Sequence, residues 1–136
     1  MRQSFTRQVT ELDAVFGLLR QFAKAHGLDG DLERDLGVVA EELFTNQVRH
    51  ARPGGDRIEL ELDLVGGTLT LVLRDYDVEP FDPTATPEVD ITRPAEDRTP
   101  GGLGIHFVRQ LSDSFEWTYD SDRRSSRITV TRQLER

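Results

Sequence analysis

Two stretches of the chain carry apolar residues at helical spacing, and the rest of the ordered pattern alternates. Leu12, Val15, Phe16, Leu19, Phe22 and Ala23 recur at steps of three and four residues within "ELDAVFGLLRQFAKAHGL". That spacing predicts an amphipathic helix, stopped at Gly27. Leu18 lies off the stripe and is expected to be exposed, where it could serve a partner. Leu32, Leu36, Val39, Ala40, Leu43 and Phe44 form a second stripe, with Asp31 to cap its start and "RPGG" at 52–55 to end it. From Ile58 to Leu64 apolar and charged residues alternate, which predicts a strand with one buried face. Gly66-Gly67 reads as a hairpin turn and "TLTLVLRD" as the returning strand. Phe115, Trp117 and Tyr119, then Ile128 and Val130, predict a closing hairpin, and "RQSFTRQ" an edge strand at the start.

Between the second hairpin strand and the last helix lies "YDVEPFDPTATPEVDITRPAEDRTP", residues 76–100, which holds five of the six prolines. A stretch of that length inside a small domain reads as a lid over a ligand, or as an insertion without one. The helix after it opens on Gly101, Gly102 and Gly104 and runs through Leu111. The expected order is strand, helix, helix, strand, strand, lid, helix, strand, strand. One apolar face per strand implies a mostly antiparallel sheet covered by helices on one side, an α+β fold.

Composition narrows the class. The chain has 136 residues, enough for one domain (1–136) with one core. It has no cysteine, so disulfides and thiolate metal sites are excluded. No apolar run has the length of a membrane span, and "MRQSFTRQVTELD" has no apolar signal core, so a cytoplasmic protein is the expectation. The net charge of −8 disfavours nucleic acid, whose phosphates it repels, and suits a basic protein partner.

The candidate chemistry sits in three places. Glycines let a ligand approach the backbone, and a helix N-terminus offers free N–H groups and partial positive charge. Residues Gly101, Gly102, Leu103, Gly104 and Ile105 therefore read as an anion cradle, or as a tight turn into the helix. Glu42, Asn46 and His50 are spaced by four and share one helix face at the border of the apolar stripe. A carboxylate and an amide there suit a magnesium ion carried by a nucleotide, since Mg²⁺ prefers oxygen ligands. The plain alternatives are a solvated glutamate, a hydrogen-bonded core-edge asparagine and a helix-end histidine. Asp75, at the end of its strand, can accept from a ligand amine or simply begin a turn.

Taken together, "EELFTNQVRHA", "RDYDVEPFDP" and "GGLGIHFVRQL" resemble the N, G1 and G2 boxes of the GHKL ATPases. Within that superfamily the chain is most similar to the anti-sigma factor serine-protein kinases of bacteria. "PFDP" after the G1 box and "GGLGIHFV" carry that likeness, which covers nearly the whole chain. The resemblance implies a two-layer α/β sandwich of Bergerat type with a mixed, mostly antiparallel sheet, binding ATP and Mg²⁺ between helices and lid. It implies Glu42 as general base, Asn46 as magnesium ligand and Asp75 as acceptor of the adenine amine. It gives the glycine-stretch backbone to the phosphates and places Thr129 near the adenine. Its implied partners are an antagonist (anti-anti-sigma) protein carrying the acceptor serine and a sigma factor, with a homodimer as a further expectation. Arg98 and Arg109 stand near the phosphates in sequence, Arg109 on the solvent face of its helix.

The G1 box departs from the pattern. Asp77 stands where the family has glycine, and "DYDVEPF" is one residue longer than usual. A side chain and a negative charge there would weaken ATP binding unless the loop bends to accommodate them. Two rival readings follow: a non-catalytic binding regulator on the same scaffold, and the ATP-binding half of a histidine kinase. The second is disfavoured by the lack of a dimerisation helix pair within 136 residues.

Overall fold

A computed structural model describes residues 1–51, 54–85 and 102–134. Strand β1 (Arg2–Thr6) leads through a short 3-10 turn, Val9–Glu11, into helix α1 (Leu12–His26). Helix α2 (Gly30–His50) follows, then the hairpin of β2 (Arg57–Val65) and β3 (Thr68–Asp75). A second 3-10 turn, Pro83–Ala85, precedes helix α3 (Gly102–Leu111), and β4 (Ser114–Asp120) and β5 (Ser125–Gln133) complete the sheet.

The sheet order is β1-β2-β3-β5-β4, and every pairing among the described residues is antiparallel, with none of the mixed character the resemblance implied. Its inward positions alternate: Ile58, Leu60 and Leu62 on β2, Leu69, Leu71 and Leu73 on β3, Ile128 and Val130 on β5. All of them join Leu19, Phe22, Leu36, Leu43 and Phe44 of the helices in one core. The intervening positions face the opposite side, where Arg74 bonds to Glu59 and Glu61 across β2. The described helices thus cover one face only, as the alternation requires.

Local signals explain most of the ends. Gly27 stops α1 in the left-handed conformation at φ 64°. Gly66 and Gly67 close the hairpin with φ of 58° and 79°, the paired positive values that match strand twist. Two expectations are corrected. Asp29, not Asp31, caps α2, accepting from the Leu32 amide at 2.8 Å. Asp31 is already inside the helix and pairs with Arg34 on the surface. Leu18 is buried, because the stripe of α1 takes in Val15, Leu18, Leu19 and Phe22 and is wider than a narrow reading allows.

Candidate functional site

The site lies where the C-terminal half of α2, the end of β3 and the first turn of α3 meet. Glu42 is half-buried on α2, and burial raises its carboxyl above the usual glutamate range. The Asn46 side chain, one turn further along the helix, opposes that rise. Asn46 itself is buried. Against them stands Gly104. A Cβ on that glycine would fall inside the contact distance of all three carboxyl atoms of Glu42.

Gly102, Gly104 and Ile105 belong to the first turn of α3, and Ile105 turns its side chain into the core. Leu103 occupies the same turn; Gly101 and Arg98 lie outside the described residues. The unbonded N–H groups of this turn and the positive end of the helix dipole are general properties of its position. His50 is exposed and its ring centroid lies 5.5 Å from that of Phe81. Arg109 is partly buried, not solvent-facing as expected, and donates to the Thr84 carbonyl at 2.7 Å.

Asp75 is fully buried. One of its oxygens accepts from Arg7 and, at 3.0 Å, from the Tyr76 amide; the other accepts from Gln47 Nε2 at 2.9 Å. Burial pushes its carboxyl up, against the pull of Arg7 and Gln47. Arg7 reaches this pair from the end of β1 and also donates to Gly55 O at 2.7 Å and Gln47 O at 2.9 Å. Gln47 Oε1 is buried without a hydrogen-bond partner. Such an oxygen calls for a donor.

The structure does not bring Thr129 to this group. It pairs with Val72, between the buried Ile128 and Val130, and so lies on the helix-free face. The residue opposite Asp75 on the covered face is Ser126, buried, accepting from Trp117 Nε1 at 2.8 Å. Strand parity was available to find it: Ser126 shares a face with Ile128 and Val130. Arg7 and Gln47 gave no such signal, since their roles come from contacts across 68 and 28 residues.

The G1 segment bends as glycine would. Asp77 takes φ 56°, a left-handed conformation that Asp adopts more readily than most residues. Its carbonyl accepts from the Gly54 amide at 3.0 Å, and the Tyr76 carbonyl from the Gly55 amide at 2.8 Å. A Cβ on Gly55 would meet the Tyr76 oxygen at 3.0 Å, so this close approach depends on glycine. Val78 is buried, its amide bonded to Arg124 O and its carbonyl to Tyr119 Oη. The start of the expected lid, residues 76–78, is therefore tied to the sheet and to the turn before β2; residues 86–100 lie outside the described residues.

Over residues 5–132 the chain matches the histidine kinase-like ATPase domain. It belongs to that family. Membership of this ATPase family implies nucleotide binding, and the residues fit it. Glu42 and Asn46 offer oxygen donors of the kind a hard cation takes, and the orphaned Gln47 oxygen beside Asp75 suits an amine. The chain is 30% identical over 95 residues to the serine-protein kinase RsbW of Halalkalibacterium halodurans, a match covering 67% of this chain and 57% of that protein. The chain thus spans little more than half the length of this relative. Among solved structures it resembles the RsbU and RsbW domains of a Mycobacterium tuberculosis protein, with TM-score 0.66 and 16% identity, covering 100% of this chain and 33% of that one. The SiaB-SiaC complex from Pseudomonas aeruginosa gives TM-score 0.60 at 13% identity, covering 96% of this chain and 88% of that one. The histidine kinase domain of a blue-light activated histidine kinase from Erythrobacter litoralis gives TM-score 0.51 at 16% identity, covering 93% and 60%. At these identities the structural likeness speaks for the fold. Among the described residues no helix is long and apolar enough to cross a membrane.

Proposed function

We propose that the chain is a serine-protein kinase of the anti-sigma type, which binds Mg-ATP and phosphorylates a serine of an antagonist protein. The observation that carries this reading is the half-buried Glu42 carboxylate, set against the first turn of α3 with Asn46 one turn away. When bound, Mg-ATP supplies the phosphoryl group and a cation that neutralises its charge. Asn46 would hold the cation, the backbone of residues 101–105 would meet the phosphates, and Asp75 with Gln47 would face the base amine. Glu42 accepts the proton of the acceptor serine hydroxyl; burial makes its carboxylate a stronger base than an exposed glutamate. A sigma factor held on the same surface would complete a partner switch, since phosphorylation adds charge to the antagonist and changes what it can bind.

Glu42→Gln is expected to keep ATP binding by calorimetry, with and without Mg²⁺, and to lower phosphoryl transfer by about a hundredfold. A variant that transfers at the wild-type rate overturns Glu42 as base. One observation favours a second reading, a non-catalytic binding regulator. The Asp75 carboxylate is fully buried and already engaged by Arg7, Gln47 and the Tyr76 amide. No calorimetric binding at millimolar ATP would select that reading.

A further inference from the structure

The glycines of this chain differ in what surrounds them. Gly17, Gly27, Gly30 and Gly66 have open space where a Cβ would stand, and Gly37 meets only Phe16 at 3.8 Å. At Gly104 a Cβ would overlap the carboxyl group of Glu42, touching Cδ and both oxygens. Gly104 is not forced by backbone conformation, because it lies inside α3, where a side chain is ordinarily favoured and glycine costs helix stability. What the missing side chain makes room for is Glu42, whose three carboxyl atoms are the nearest to that position.

The seating of α3 explains why the two meet. Ile105 and Val108 are fully buried and hold the helix on the core. Their positions fix which side of the first turn faces α2, and Gly104 is the residue on that side. The Glu42 carboxylate consequently rests at the positive end of α3. A side chain at this position would leave the helix seated and drive the carboxylate away, since the long glutamate is the movable partner.

We propose that Gly104 is a positioning residue for Glu42: its lack of a side chain lets the first turn of α3 close on the carboxylate and hold it where the acceptor hydroxyl is deprotonated. The glycine thereby acts on the base and not only on a ligand's phosphates. The catalytic consequence rests on the reading of Glu42 as base; the contact does not.

The test compares the wild type with Gly104→Ala, Glu42→Asp and the double variant, all in the full chain. In the wild type, nuclear Overhauser contacts should join the Glu42 γ-protons to the Gly104 α-protons. In Gly104→Ala those from Glu42 to α3 should vanish, while those of Ile105 and Val108 to the core persist. In transfer assays at saturating Mg-ATP, Gly104→Ala should lower kcat by about a hundredfold. Aspartate is one methylene shorter and clears the added methyl. Adding Gly104→Ala to Glu42→Asp should therefore change kcat by less than about twofold. Absence of the Glu42–Gly104 contact in the wild type, its survival in Gly104→Ala, or a loss seen as weaker ATP binding at unchanged kcat overturns the proposal. If Gly104→Ala does not fold, Glu42→Ala/Gly104→Ala should fold, because it removes the overlap; failure of both overturns it. If the wild type transfers no phosphoryl group, the kinase reading fails, and the contact measurements still decide whether Gly104 seats Glu42.

Discussion

Arg7 is the side chain on which the Asp75 carboxylate depends. It is mostly buried, and its guanidinium is spent on Asp75 and two backbone carbonyls. Removing one partner of a buried pair leaves the other charge uncompensated. Arg7→Met is therefore expected to destabilise the chain by about 3–5 kcal/mol in urea denaturation at neutral pH. The pH dependence has a definite sign. Burial sets the folded Asp75 carboxyl above its unfolded value, so this group favours the folded state at low pH and that contribution is lost as pH rises through the folded value. Without Arg7 the ionised form is costlier still. The Arg7→Met penalty should shrink as pH falls to where Asp75 protonates; a penalty that stays constant or grows on acidification would contradict this account.

At the scale of elements, the turn after β3 shows how a sequence departure is absorbed. Asp77 replaces the glycine of the G1 pattern and adopts the glycine-like conformation, its carbonyl bonded by the Gly54 amide and that of Tyr76 by the Gly55 amide. Aspartate tolerates this region better than residues without a local polar side chain. Asp77→Ala should cost about 1 kcal/mol, and Asp77→Gly should be neutral or stabilising by up to about 1 kcal/mol. Chemical denaturation of the two variants checks this. If both cost the same, the side chain of Asp77 matters and its φ does not. The same two bonds place the segment after β3 against the turn before β2, and the Tyr119 hydroxyl fixes it from β4. The expected lid begins on a rigid base.

For the whole molecule, a single layer of helices on a five-stranded sheet leaves one end of α2 facing both β3 and α3. Any nucleotide held there bridges elements that unfolding separates, so it binds the native state and not the unfolded chain. Mg-ATP at a hundredfold excess over its Kd should stabilise the protein by about 2.7 kcal/mol, which at this size corresponds to a rise of about 10 °C in Tm. A Tm indifferent to millimolar Mg-ATP would favour the binding-regulator reading.

The elements and their order were legible in the sequence because each signal is local. The stripes of α1 and α2, the alternation of β2 and β3 and the glycine stops at 27 and 66–67 depend on neighbours within a turn or a hairpin. The pairing of Glu42 with Asn46 was legible for the same reason, since a four-residue step on a helix fixes proximity. Thr129 was misplaced although the alternation around it already assigned it to the outer face. What the tertiary structure alone decided is contact between distant segments: Arg7 and Gln47 on Asp75, Ser126 opposite it, and Gly104 against Glu42. These depend on how the sheet registers and where α3 seats, and burial then sets the charge behaviour of both carboxylates. No local pattern encodes either, because both are sums over residues that only the folded chain brings together.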